Sequence, residues 1–412
     1  MITPIRGSRV LVVLALINFV SYAMRNALFG VYPALQAKLG IAYDDIGLLT
    51  TIFMIPHAAA TLPFGWAGDR FDRRRVIAVG MILASVASAA GALSNDYYTL
   101  AGSRALVGFG TAAVVPVANS ILAQIFEGPR KGSRIAVFNL GLFLGGVAGF
   151  FAGVWFGFPH VLVVLAIPGA TLALVFVMVP VPAHAAPQTG HLADFLRQLV
   201  ADARVLLKIR TLRWLIASTI TMAFAAGGYN AWLQVFLVKD KGMTPEAANM
   251  LLAIALVGGL AGILTGARVS DRLRARVATG RLRTIITGMV CTVPCAVAAV
   301  LMPAGPLLYV VGALTLFFIS WYHAPMAATV DDLAPASLTV AAQGLVIFTM
   351  HMFGTAPSSY VVGIVAQHTS LQGAMWVPTG SLVLAALCMS VATRTFAADQ
   401  ARARGGGAVA SL

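Results

Sequence analysis

The chain has 412 residues, of which 59% are apolar and only 10% charged, with a mean hydropathy of +0.88. Soluble domains carry roughly 25% charged residues, so a soluble enzyme, a disordered chain and a disulfide scaffold are all excluded. Apolar runs of membrane length recur from end to end and define a polytopic helical membrane protein. They lack the period-two alternation of a β-barrel.

In chain order the runs predict crossings at 10–32, 46–68, 76–94, 97–125, 135–157 and 160–180, then at 214–236, 247–269, 284–303, 306–328, 339–364 and 374–393. A helix needs about 20 residues to traverse about 30 Å of hydrocarbon, so twelve crossings and short loops use nearly the whole chain. The first run is not followed by a small-residue cleavage site and is expected to be retained as a helix. The fourth and eleventh are long enough to tilt or project. Residues 181–213 form the one long polar connection. It opens with Pro182 and Pro187 and continues as DFLRQLVADARVLLKIR. There Phe195, Leu199, Leu206 and Ile209 interleave with Arg197, Arg204, Lys208 and Arg210, the pattern of an amphipathic interfacial helix. The expected organisation is a first six-helix bundle over 1–180, the linker over 181–213, a second bundle over 214–394 and a tail over 395–412. Two such bundles around a central cavity are the plan of a transporter.

The net charge of +14 is unevenly placed. With the amino terminus cytoplasmic, twenty-three Lys and Arg fall in cytoplasmic segments. Only Lys38, Lys239 and Lys241 fall on the opposite side, and Arg25 and Arg104 lie within helices. This asymmetry predicts both termini inside; the expected location is an inner (plasma) membrane. The asymmetry assigns the basic charge to topology and anionic-lipid contact, not to nucleic acid. Cys291, Cys295 and Cys388 fall in apolar helices. The i,i+4 pair shares a helix face, yet small buried residues account for all three. The chain has no Walker loop, dinucleotide fingerprint or serine nucleophile elbow, so neither enzyme activity nor a cofactor is expected. A monomer is expected.

Between the second and third crossings the chain reads GWAGDRFDRRR, residues 65–75. Gly65 permits close helix approach, Asp69 ends the second crossing, and Arg70, Arg73 and Arg74 follow it. A carboxylate fixed among arginines at a helix junction can latch two bundles in one state and release them in another. Positive-inside anchoring would explain the arginines but not Gly65 and Asp69 so placed. These residues resemble the major facilitator superfamily loop Gly-x-x-x-Asp-Arg-x-Gly-Arg-Arg, with Asp72 in the usual glycine position. The corresponding loop TGARVSDRLRAR at 265–276 retains Asp271 and Arg272, and RALVGFG resembles the family's second motif at Arg104, Gly108 and Gly110. Gly141, Gly145, Gly149 and Gly153 give the fifth crossing a smooth packing face. The glycine–proline pair of the antiporter signature is missing there, which disfavours drug–proton antiport. The resemblance covers residues 8–394 and implies the major-facilitator fold: all-α, polytopic, twelve transmembrane helices in two six-helix bundles.

Within that superfamily three stretches resemble the spinster-like lipid transporters: SYAMRNALFGVYPAL at 21–35, GLLTTIFMIPHAAATLPFGWAGDR at 47–70, and SRALVGFGTAAVVPVANSILAQIF at 103–126. Tyr22 and Arg25 match the family's Asn-Tyr-x-Asp-Arg opening, with Met24 in the acidic position. Thr111 stands where the family's Glu is expected. The resemblance implies a lysophospholipid or sphingolipid substrate, while both departures remove carboxylates implicated in proton coupling.

No Asp or Glu falls well inside a predicted crossing, which leaves Arg25 and Arg104 without a carboxylate partner in the helices. Burying arginine is expensive unless it meets water, a partner or an anionic ligand. Its fork suits phosphate or carboxylate. Each arginine is therefore a candidate for substrate binding or gating, or for tying broken-helix carbonyls together. Asn26, Thr111, Asn119, Asn139, Tyr229, Asn230, Trp232 and Gln234 are further candidates, all of which also suit hydrogen bonds across helix interfaces. Trp232 equally suits an interfacial anchor. His57, His323 and His351 titrate near neutrality and are candidates for proton coupling or for hydrogen-bonded packing. His323, Met326, Met350, His351 and Met352 offer the soft ligands that select Cu(I), although methionine also serves as packing. The expected function is alternating-access transport of an amphipathic anion, a lysophospholipid or related lipid, by facilitated diffusion. The alternatives are a histidine-driven, proton-coupled carrier of a small organic anion, a Cu(I) importer, and a non-transporting membrane sensor.

Overall fold

The structure, a computed structural model, describes residues 4–126, 131–181, 191–335 and 338–404. Pro182 and Pro187 of the expected linker, and the tail beyond residue 404, lie outside the described residues. All regular structure among those described is helical: α1 (Pro4–Asn26), α2 (Tyr32–Leu39), α3 (Tyr43–Arg70), α4 (Arg73–Ala92), α5 (Tyr97–Thr111), α6 (Val114–Ile125), α7 (Lys131–Phe156), α8 (His160–Met178), α9 (Leu192–Leu206), α10 (Arg210–Lys239), α11 (Pro245–Arg276), α12 (Gly280–Leu301), α13 (Pro306–Ile319), α14 (His323–Leu333), α15 (Thr339–Thr349), α16 (Ala356–His368) and α17 (Leu371–Arg404).

Eleven helical stretches among the described residues are long and apolar enough to cross a membrane. The stretch predicted as the seventh crossing is helical, as the 30-residue α10, but is not among those eleven. It is less apolar than the eleven because Thr219, Thr221, Tyr229, Asn230 and Gln234 fall within it.

Four of the predicted crossings are interrupted, and each interruption lies just before a proline. The first passes from α1 through a 3-10 turn at Ala27–Val31 into α2. The fourth turns at Ala112–Ala113 between α5 and α6. The tenth has a 3-10 turn at Ser320–Tyr322, and the eleventh a π-helical segment at Met350–Thr355. A proline ring clashes with the carbonyl four residues earlier and offers no N–H to it. Those carbonyls belong to Phe29 for Pro33, Ala112 for Pro116, Trp321 for Pro325 and Phe353 for Pro357. All four lie in the interruptions. By contrast, Pro56, Pro63, Pro168, Pro294 and Pro378 are carried inside continuous helices.

The chain forms two compact units, Met1–Phe195 and Leu196–Leu412. The boundary falls inside α9, because Leu206 at the end of that helix is fully buried in a cluster with Leu212 and Leu215 of α10. In the first unit, the glycine face of α7 lies against the backbone of α1. A Cβ added at Gly141, Gly145, Gly149 or Gly153 would stand 2.6, 2.1, 2.2 and 2.2 Å from the carbonyl oxygens of Ala15, Phe19, Ala23 and Ala27. Such small-residue contacts are how helices pack without a hydrophobic driving force between them. In the second unit α11 and α13 use the same device, with Gly258 and Gly262 against the carbonyls of Ala313 and Phe317.

Candidate functional site

The interruption after α1 organises a polar cluster inside the first unit. Where a helix ends, its last carbonyls lose their intrahelical donors. Arg104, on α5 and only 3% exposed, supplies them: its Nη1 donates to the Met24 carbonyl at 3.1 Å and its Nη2 to the Arg25 carbonyl at 3.2 Å. Cationic groups are favoured at a helix C-terminus by the backbone dipoles. The guanidinium also sits 4.7 Å from the centre of the Phe53 ring. Its Nε is buried and has no hydrogen-bond partner.

Arg25 is placed differently. It occupies the last turn of α1, is only partly buried, and lies 5.4 Å from the Tyr22 ring centre. Among the described residues no carboxylate comes within ion-pair distance of either arginine. Tyr32, at the start of α2, shares a 2.5 Å hydrogen bond with Thr50. His57 of α3 stacks on Phe53, and its Nδ1 lies 3.2 Å from both the Gly108 carbonyl and Thr111 Oγ1. The Thr111 hydroxyl donates to the Val107 carbonyl at 2.9 Å, so it accepts from the imidazole. Both partners are then acceptors, and Nδ1 carries the proton. The close approach that permits this comes from Gly108, where a Cβ would meet the Phe53 carbonyl oxygen at 2.1 Å.

The structure thus brings together Arg25, Arg104, His57 and Thr111. Asn26 packs its amide over Gly146, where an added Cβ would lie 2.8 Å away. Met24, at the position where the spinster pattern has an acid, is buried. Asn119, Asn139 and Asn230 are exposed on their helices. Trp232 is fully buried in the second unit, and its Nε1 donates to the Ser359 carbonyl at 2.9 Å. Gln234 is buried with Oε1 unpartnered, and Tyr229 shares a 2.5 Å hydrogen bond with Thr379. His323 lies against the Tyr322 ring, and His351 Nδ1 is 3.4 Å from Thr355 Oγ1 within the π-helical segment. Met326 is buried in the apolar cluster and its sulfur accepts from Thr219. Among the described residues no group of three or more His, Cys, Asp or Glu could hold a metal ion.

The loop between α3 and α4 needs one correction. Gly65 is not the point of close approach, since a Cβ there would meet Pro116 at an ordinary 3.8 Å. Gly68 is, with Val117 Cγ2 only 2.7 Å from its added Cβ. Arg73 is buried and clasps α6, donating from Nη1 to Gln124 Oε1 at 2.6 Å, and the charge of Asp69 acts on it. Arg70 lies over the Trp66 ring at 4.8 Å. Asp72 caps α4, accepting from the Arg74 backbone N–H at 3.0 Å and pairing with the Arg74 guanidinium at 2.7 Å. That hydrogen bond to the Arg74 side chain holds the Asp72 carboxyl below its usual range.

In the second unit Asp271 and Arg272 are exposed. The residue that gathers arginines there is Asp332, at the end of α14. It pairs with Arg281 and lies 3.8 Å from Arg274 Nε. The sequence signal was available: residues 331–338 carry two acids and no Lys or Arg, and stand opposite the most basic loop of the chain.

A helical, polytopic chain with arginines set inside its apolar helices is the architecture of a membrane carrier. The Major Facilitator Superfamily profile matches residues 14–358, and the chain belongs to that superfamily. It is a secondary transporter and not an enzyme. It is 26% identical over 385 residues to protein spinster homolog 3 of Danio rerio, covering 87% of this chain and 76% of that protein. To the sphingosine-1-phosphate transporter SPNS2 of the same organism it is 27% identical over 385 residues, covering 85% and 74%. The fold is shared with a bacterial homolog of the human lysosomal transporter Spinster, solved in an inward-facing, unoccupied conformation. The TM-score is 0.79 at 19% identity, over 97% of this chain and 99% of that one. The nucleoside transporter NupG is also similar in fold, with a TM-score of 0.74 at 16% identity over 93% and 99%.

Proposed function

We propose that the protein carries an amphipathic organic anion, a lysophospholipid or related lipid, across an inner membrane by alternating access. In this reading α10 is the seventh of twelve crossings, the two units are the two six-helix bundles, and both termini are cytoplasmic. The observation that carries the substrate class is Arg25: a guanidinium in a membrane-spanning helix, beside a helix break, with no carboxylate at ion-pair distance among the described residues. A cation so placed is favoured by an anionic ligand. The likeness to spinster proteins, among them sphingosine-1-phosphate transporters, supports a lipid tail behind the head group. Purified protein tested by thermal shift against lysophospholipids, small organic acids and Cu(I), each with a matched detergent control, distinguishes the substrates. Stabilisation by lysophospholipid is expected. Stabilisation by small acids or Cu(I) alone overturns the lipid assignment.

Facilitated diffusion is the proposed mode, because Met24 and Thr111 replace the carboxylates of the spinster pattern. One geometric feature favours a second reading: His57 is hydrogen-bonded to Thr111 itself, next to the missing acid. Vesicles with a pH gradient and no substrate gradient separate the two. Accumulation abolished by a protonophore and by His57→Ala assigns coupling to His57. Exchange of labelled substrate without accumulation supports uniport. For the latch, Asp69→Asn is expected to slow transport in a correctly inserted protein; unchanged kinetics remove Asp69 from the gate.

A further inference from the structure

The function proposed above leaves α9 unused. With 3.6 residues per turn, Leu196, Val200 and Leu207 fall along one strip of this helix and the turn that follows it. They are 39%, 49% and 41% exposed. Arg197, Arg204 and Lys208 form the neighbouring strip and are exposed as well. The helix is held by another edge, since Leu206 is fully buried in the core of the second unit. Asp202, one of two acids in this segment, is engaged by the Gln198 amide at 2.7 Å.

The exposed pattern continues past the turn at Leu207–Ile209. At the start of α10, Arg210, Arg213 and Trp214 are all exposed, and their i, i+3, i+4 spacing puts them on one helix face. Tryptophan beside arginine at the end of a bilayer-length helix marks the head-group level. The segment therefore joins an apolar strip, a parallel row of cations and an interfacial anchor, on the side of the bilayer where α8 ends and α10 begins.

We infer that α9 and the first turn of α10 form a binding surface for anionic phospholipid. Leu196, Val200 and Leu207 enter the acyl boundary, while Arg197, Arg204, Lys208 and Arg213 hold head-group phosphates. The occupant is a lipid surface because the cations parallel the apolar strip along its length and Trp214 sets the depth. An acidic protein partner would meet the same charges but has no use for a tryptophan at the membrane end of the patch.

The test uses full-length protein with Cys291, Cys295 and Cys388 changed to alanine and a single spin label at Val200→Cys. It is reconstituted in phosphatidylcholine vesicles with or without phosphatidylglycerol, and collision with oxygen is compared with collision with a water-soluble nickel chelate. With phosphatidylglycerol, the label is expected to shift from nickel towards oxygen accessibility. The Arg197→Gln/Arg204→Gln/Lys208→Gln variant is expected to lose that shift and to retain less phosphatidylglycerol through purification, measured by native mass spectrometry. A label equally exposed to nickel in both vesicles overturns the inference, and this comparison does not depend on the folding of the Arg197→Gln/Arg204→Gln/Lys208→Gln variant. Immobilisation of the label by an added acidic protein, with no response to lipid, assigns the surface to a protein partner instead.

Discussion

Arg104 Nη2 donates to the main-chain carbonyl of Arg25 at 3.2 Å, so the two intramembrane arginines are joined through backbone and not through their charges. Their roles are therefore separable. Arg104→Gln strips the donors from two carbonyls at the end of α1, and each buried acceptor left unpaired costs about 1–3 kcal/mol. A lower melting temperature is expected with or without ligand. Arg25→Gln removes a charge but none of those bonds. Its ligand-free melting temperature is expected to match wild type, while stabilisation by lysophospholipid is lost. Thermal shift on both variants, with and without ligand, checks the pair; the reverse pattern would exchange the roles.

Glycine substitutions provide an internal control on packing. A methyl group at Gly145 would collide with the Phe19 carbonyl oxygen at 2.1 Å, whereas one at Gly102 has nothing within 4 Å. Gly145→Ala must push α1 and α7 apart, and a marked loss of folded protein is expected. Gly102→Ala is expected to stabilise α5 by up to about 1 kcal/mol from helix propensity. Size-exclusion yield and melting temperature report both.

Asp72 replaces the glycine of the family loop, and the replacement has a measurable consequence. It accepts the N-terminal hydrogen bond of α4, a cap whose loss in Asp72→Ala costs typically about 1 kcal/mol. Because pairing with Arg74 depresses its folded-state pKa, its contribution is present above the ordinary carboxylate pKa. That contribution is lost as pH falls through the depressed folded value. The difference in melting temperature between wild type and Asp72→Asn should therefore be constant near neutrality and shrink in acid. A difference that grows on acidification would contradict the assigned pairing.

Asp332 gathers Arg274 and Arg281 at the end of α14, with side chains about one-fifth exposed. Ion pairs open to solvent are screened by salt. Asp332→Asn is expected to lower the melting temperature at low ionic strength and to approach wild type in concentrated salt. A salt-independent loss would point to the hydrogen-bond geometry instead of charge.

Helix existence and the glycine face of α7 were legible because both depend on residue type and spacing along one element. The interruptions were not. Pro33 and Pro357 look like Pro56 and Pro294 in the sequence, yet the first pair follows broken backbone and the second lies inside continuous helix. What separates them includes tertiary support such as Arg104, eighty residues from the carbonyl of Met24 that it satisfies. Similarly, Trp232 among polar neighbours suits a binding residue or an interfacial anchor, and its burial against Ser359 depends on a distant helix. Gly65 stood out by its place in a motif, whereas Gly68 is tight because Val117 packs against it.

The backbone contact between α7 and α1 brackets Arg25, with Gly149 against Ala23 and Gly153 against Ala27. Backbone packed this closely leaves no room for a side chain between the two helices, so in the alternating-access cycle proposed above α1 and α7 are expected to move together and to carry the Arg25 charge with them. A fluorophore on Leu144, an exposed position of α7, would accordingly track the guanidinium through the transport cycle without touching it.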